Sequence, residues 1–185
     1  MKLTVMNRTR TKKSDTKQIR REGDIPAILY SSQHSGEMIV IKGVEFATVL
    51  RGMKMGRLST TIFTLMFGNK ERRAVIKDIQ YHPTTYVVSH IDFEELVDGQ
   101  HINLKVPVAC TGVADCPGIK LGGMLRLIAR TIKVECLPKD IPAEFEVHVG
   151  DLSIAQSKRL SDITLPKGVR ALVPADEVVV VIARK

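Results

Sequence analysis

Arg20 and Arg21 close a polar, cationic stretch, and the apolar run Ile25-Pro26-Ala27-Ile28-Leu29-Tyr30 begins just after Gly23-Asp24. Arginine carries a planar fork of donors that grips phosphate bidentately and can also lie flat on a base. Gly23 accepts backbone angles that other residues resist, so the chain can turn sharply there. Pro26 fixes its own φ and pushes Ile25 toward extended geometry. The two guanidinium groups are thereby held beside a strand entrance, an arrangement suited to meeting phosphates at defined positions.

The charge around them is concentrated. Of the net +8, residues 1–21 contribute Lys2, Arg8, Arg10, Lys12, Lys13, Lys17, Arg20 and Arg21 against Asp15 alone. Residues 96–185 carry 12 basic and 10 acidic groups and are nearly balanced. A one-sided field of this kind attracts a polyanion such as RNA, DNA or an anionic membrane surface. A solvated lysine-rich tail is the plainer reading, but Leu3, Val5 and Ile19 among the charges imply a segment that folds.

Other reactive side chains are sparse. His90 and Asp92 lie two apart and share one face of a strand; with Cys110 or Cys116 they would supply the parts of a thiol triad. Nothing local resembles a nucleophile elbow or a metal site, so no catalysis, metal or cofactor is expected. The three cysteines, Cys110, Cys116 and Cys136, are odd in number and lack Cys-x-x-Cys spacing, which points to buried reduced thiols. Gly122-Gly123 belongs to no Gly-x-x-x-x-Gly-Lys-Ser/Thr pattern and reads as a turn. Met1-Lys2-Leu3-Thr4-Val5 lacks a signal peptide's apolar core, and no apolar run approaches the ~18 residues of a membrane span. A cytosolic protein with no membrane partner and no small-molecule substrate is expected.

The elements that hold these residues are mostly strands. Lys2–Met6 alternates as a first strand, and Ser14 is the expected N-cap of a short helix carrying Lys17, Arg20 and Arg21. Strands are expected over Ile25–Tyr30, Met38–Ile41, Thr60–Phe67, Arg73–Ile79 and Tyr86–Phe93, with a helix over Val44–Arg51 and a flexible basic loop over Met53–Leu58. Gly68-Asn69-Lys70 marks a hairpin turn. Glu94–Gly99 is the expected boundary between a first domain, 1–95, and a second, 96–185. Beyond it come short strands at Ile102–Val108, Gly123–Ile128, Thr131–Leu137, Ala143–Val149, Val169–Val173 and Val178–Ile182, an antiparallel all-β pattern. The form of the crossover from Asp151 to Ile163 is open.

Several stretches resemble one family. Arg21-Glu22-Gly23-Asp24-Ile25-Pro26-Ala27-Ile28-Leu29-Tyr30, Lys77-Asp78-Ile79-Gln80-Tyr81-His82-Pro83, His90-Ile91-Asp92-Phe93 and Gly118-Ile119-Lys120-Leu121-Gly122-Gly123 match the bacterial large-subunit ribosomal protein numbered twenty-five, the CTC or general-stress-protein family. Val134–Pro142 and Ser161–Val169 extend the likeness in order across the second half. The resemblance implies a mainly β protein with short helices: a small β-barrel-like domain that binds 5S ribosomal RNA at an internal loop of non-Watson–Crick pairs, then a CTC-type β domain that meets neighbouring ribosomal RNA or proteins. It implies RNA contacts from the basic residues Arg8, Arg10, Lys12, Lys13, Lys17, Arg20 and Arg21, from Tyr30, and from His90 and Asp92, with His82 nearby. Many members carry Gly-Lys-Gly before the arginines, where this chain has Lys12-Lys13-Ser14-Asp15.

These residue types fit a structured RNA, whose shallow minor groove offers 2′-hydroxyls and base edges to short, rigid polar groups. A carboxylate such as Asp92 is repelled there unless it accepts from an amino group or 2′-OH, or orients a neighbouring donor. Taken without the resemblance, Tyr30 at a strand end is more often a half-buried packing residue, and His82 before Pro83 a turn-shaping one. A stress-response adaptor whose second domain binds a protein is the rival reading.

Overall fold

The computed structural model describes residues 1–8, 13–31, 35–54, 56–68 and 70–184. Leu3 and Val5 are buried between exposed neighbours, making Lys2–Asn7 (β1) a half-buried strand. Lys13–Arg21 (α1) follows, then Ile25–Tyr30 (β2), Glu37–Ile41 (β3), Gly43–Gly52 (α2), Ile62–Phe67 (β4), Lys70–Tyr81 (β5) and Val88–Glu95 (β6). The strands close into a barrel in the order β1-β3-β2-β6-β5-β4. Two of its seams are parallel, β1 with β4 and β2 with β6, and the others are antiparallel. Its interior is filled by Leu3, Ile39, Ile41, Phe63, Leu65, Ile91 and Phe93, with Phe46 of α2 packed into the same cluster.

Local chemistry explains how α1 ends. Gly23 sits at φ +88°, Asp24 N–H donates to the Ile19 carbonyl (3.1 Å), and Gly23 N–H donates to that of Arg20 (3.3 Å). This paired closure needs a residue that tolerates the left-handed region, which glycine does without a Cβ penalty. The basic last turn, Arg20 and Arg21, also suits the partial negative charge of a helix C-terminus. A Cβ on Gly43 would collide with the Gly23 carbonyl, so α2 starts directly against this turn. Pro26 is tolerated inside the sheet because pairing of β2 with β6 begins only at Ala27.

The first compact unit spans Met1–Gln100. Leu96 is buried and its N–H donates to the Arg73 carbonyl (2.8 Å), while Arg73 holds Asp98 at 2.9 Å. Residues past 95 are thus tied to the barrel rather than forming free linker.

The second unit spans His101–Lys185. It contains Ile102–Thr111 (β7), the single helical turn Pro117–Lys120 (α3), Met124–Leu127 (β8), Thr131–Cys136 (β9), Phe145–His148 (β10), Ser157–Arg159 (β11), Val169–Ala171 (β12) and Val178–Ala183 (β13). One sheet runs β10-β7-β9-β12 and another β11-β13-β8. Val106, Ile132, Val134, Val147, Val180 and Ile182 fill a single core.

The strand pattern expected from the sequence is present throughout, with local differences. β7 and β10 pair in parallel, whereas the other pairings of this unit are antiparallel. Ser14 lies inside α1 rather than capping it. Arg57–Thr60 is a 3-10 turn that takes in the end of the expected basic loop and the first residue of the expected strand from Thr60, with Thr60 buried and Leu58 packed against the barrel core. The crossover left open contains β11 and a 3-10 turn at Leu160–Asp162, whose Asp162 carboxylate accepts from the Arg159 N–H at 2.9 Å. β6 starts at Val88 and not at Tyr86, because Tyr86 N–H donates to the His82 carbonyl (2.9 Å) with φ +54° and closes a turn.

Candidate nucleic-acid interface

Strand alternation on β6 separates two sets of residues. Ile91 and Phe93 are fully buried in the barrel, which leaves His90, Asp92 and Glu94 on its outer face. The parallel register with β2 sets Asp92 beside Ile28 and Glu94 beside Tyr30; the antiparallel register with β5 sets Asp92 beside Asp78 and His90 beside Gln80. Nδ1 of His90 stands 2.7 Å from Oδ1 of Asp92, with side chains 24% and 31% exposed. Asp92 therefore fixes the imidazole ring through Nδ1, and Nε2 remains the ring's other polar atom.

Tyr30 is half-buried at the end of β2. Burial first, then the carboxylates of Glu94, Asp92 and Asp78, push its phenol pKa up, so the O–H is retained as a donor at neutral pH. Lys77 partly offsets the acidic group, its Nζ lying 2.7 Å from Glu94 Oε2.

Arg20 reaches this face across 69 residues of sequence. Arg20 Nε donates to the Ser89 carbonyl at 2.9 Å, which ties the end of α1 to the residue before His90. That bond uses one guanidinium donor and leaves Nη1 and Nη2 as the fork that phosphate requires. Lys17, Arg20 and Arg21 are exposed. Arg8 is placed differently: it is half-buried, Nη1 donates to Thr16 Oγ1 at 2.8 Å, and its backbone N–H donates to the Met38 carbonyl. It steadies α1 against the barrel. Arg10 and Lys12 lie outside the described residues, as does the side chain of Lys13, which opens α1.

His82 does not join the His90–Asp92 pair. Its Nδ1 lies 3.0 Å from Thr84 Oγ1 and accepts from the Thr84 and Thr85 N–H groups (3.4 Å each), so the ring shapes the turn between β5 and β6. Ser89, Gln80, Asp78 and Lys77 are the members of this face that sequence reasoning missed. Ser89 acts through its carbonyl, which no side-chain pattern reveals. Asp78 and Lys77 were visible within a matched stretch, but the bulge in β5 between Ile76 and Asp78 sets which of them faces Asp92.

The three cysteines sit in surroundings that keep them unreactive. Cys116 is buried with Sγ 3.2 Å from the Leu152 carbonyl. Burial pushes the Cys110 thiol up, and burial together with Asp140 does the same for Cys136, which holds both in the unreactive protonated form. Among the described residues, no group of three His, Cys, Asp or Glu side chains is placed to share a metal ion, and no helix is long and apolar enough to cross a membrane.

The sequence profile of the Ribosomal L25p family matches residues 3–93, the barrel with its outer face. The profile of the Ribosomal protein TL5, C-terminal domain, matches residues 101–185. The chain is 46% identical over 185 residues to the large ribosomal subunit protein bL25 of Chlamydia trachomatis serovar L2, covering all of both chains. The bL25 proteins of Chlamydia muridarum and Chlamydia pneumoniae are 44% and 40% identical over the same full length. The chain belongs to the ribosomal L25p family. Members of this family are structural ribosomal proteins rather than enzymes.

Proposed function

We propose that this chain is a structural protein of the large ribosomal subunit that binds 5S ribosomal RNA through the outer face of its barrel. The observation that carries this reading is the Arg20–Ser89 bond, which joins the cationic end of α1 to the His90–Asp92 pair. Lys17, Arg20 and Arg21 neutralise phosphates and release condensed counterions. Tyr30, His90 and Asp92 form a short, rigid row of donors and acceptors fitted to the 2′-hydroxyls and base edges of a shallow minor groove. Being bonded to one another, His90 and Asp92 need little ordering on contact. The second unit, whose charges are nearly balanced, meets neighbouring ribosomal RNA or proteins in the assembled subunit, in the cytoplasm.

Filter binding of the full chain to 5S ribosomal RNA and to an unrelated RNA of equal length, over a range of salt, tests this reading. The chain should prefer 5S ribosomal RNA. Arg20→Ala should weaken both complexes and lower the salt slope by about one unit or somewhat less. Equal affinity of the wild-type chain for the two RNAs would contradict the proposal.

A further inference from the structure

Beside the His90–Asp92 face lies an open groove of about 490 Å³ at one end of the barrel. Ile25, Phe46, Leu50, Val87 and Val88 give it apolar walls, Arg20 stands at its rim, and Tyr86 at its mouth. Its volume lies in the range of sites that take a small planar ligand. Tyr86 is 78% exposed and Val87 64%. Tyr86 is also held at φ +54°, a region that a bulky side chain enters only at a cost. The turn that enforces it is well bonded: Tyr86 N–H to the His82 carbonyl, His82 N–H to the Val87 carbonyl at 2.8 Å, and the His82 ring to Thr84 and Thr85. Strain of this kind, maintained by its surroundings and presenting an exposed aromatic ring, gathers at binding sites.

We propose that this groove receives one unstacked base of the bound RNA, laid against the ring of Tyr86 with the Arg20 guanidinium at its edge. The proposal rests on the reading that the chain binds 5S ribosomal RNA. Three features select a nucleotide as occupant. Arg20 belongs at once to the groove and, through Ser89, to the proposed RNA face, so the two surfaces are continuous. Arg20 lines the groove, and Lys17 and Arg21, exposed on the same helix, add to a cationic field that suits the phosphate of the same nucleotide. An aromatic ring beside an apolar slot is how single-stranded bases are held. No base identity is specified, because stacking accepts any base.

The test compares the full-length wild-type chain with Tyr86→Gly and Tyr86→Phe. Glycine adopts φ +54° freely, so Tyr86→Gly removes the ring while keeping the turn, and it should melt at or above the wild-type temperature. It should bind a 5S ribosomal RNA transcript about tenfold to a hundredfold more weakly, the span expected for one stacked base. Tyr86→Phe should recover most of that loss. Chemical probing should find one base that the wild-type chain protects and Tyr86→Gly does not. If the wild-type chain prefers 5S ribosomal RNA and Tyr86→Gly binds it equally well with the same protections, the base pocket is refuted and the RNA reading stands. If Tyr86→Gly keeps RNA affinity but is poorly retained on large ribosomal subunits, the groove holds a protein side chain and the base pocket is again refuted. A wild-type chain without preference for 5S ribosomal RNA would remove both.

Discussion

Asp92→Ala is expected to bind 5S ribosomal RNA roughly tenfold to a hundredfold less tightly, while its affinity for unrelated RNA and its salt slope change little. The magnitude follows from losing a hydrogen bond to a charged group, about 1.5–3 kcal/mol. Two effects coincide in this variant. The carboxylate no longer accepts from the RNA, and His90 loses the 2.7 Å contact that fixes its ring. Asp92→Asn separates them, since the amide oxygen can still accept from Nδ1 of His90 and should restore part of the affinity. Phosphate contacts act in the opposite way, weakening all RNAs together. Filter binding against both RNAs at two salt concentrations distinguishes these outcomes; an equal loss on cognate and unrelated RNA would make Asp92 an indirect contributor to the field.

Phe93→Ala is expected to destabilise the barrel by about 3–5 kcal/mol, the cost of emptying a large buried aromatic site. Phe93 is fully buried and packs edge-on against Phe63, with ring centroids 6.0 Å apart at 81°. For a unit of this size the melting temperature should fall by more than about 10 °C. The substitution touches no residue on the outer face, yet RNA affinity should fall with it as the unfolded fraction rises. The coupling lies in β6 itself. Ile91 and Phe93 anchor the strand inward, and a slip of one residue would turn His90 and Asp92 into the core. A Phe93→Ala protein that melts within a few degrees of wild type would show that the site does not depend on this anchoring.

Much of the fold was legible because punctuation and burial agree. Gly23 and Pro26 bracket the entrance of β2, and alternation in Lys2–Asn7 and Val88–Glu95 names the core face directly. What was not legible depends on register or backbone. The parallel pairing of β7 with β10 leaves no local mark in either strand, since side-chain alternation is the same in both directions. Tyr86 reads as a strand former by propensity, and only the bonds of the 82–87 turn pull it into the left-handed region. In the site, the types of Arg20, His90 and Asp92 were informative, but their adjacency rests on the Ser89 carbonyl. The resemblance implies an RNA contact for Arg8, and its bond to Thr16, which also braces α1, has no mark in the sequence.

The central claim is that the barrel's outer face, and not the second unit, holds 5S ribosomal RNA. Photo-cross-linking of the full chain within assembled large ribosomal subunits, followed by mass spectrometry of the linked peptides, tests it most directly. Peptides carrying Lys17–Arg21, Tyr30 and His90–Asp92 should be joined to nucleotides of 5S ribosomal RNA. Links to 5S ribosomal RNA confined to residues 101–185, with the barrel peptides unlinked, would contradict the account.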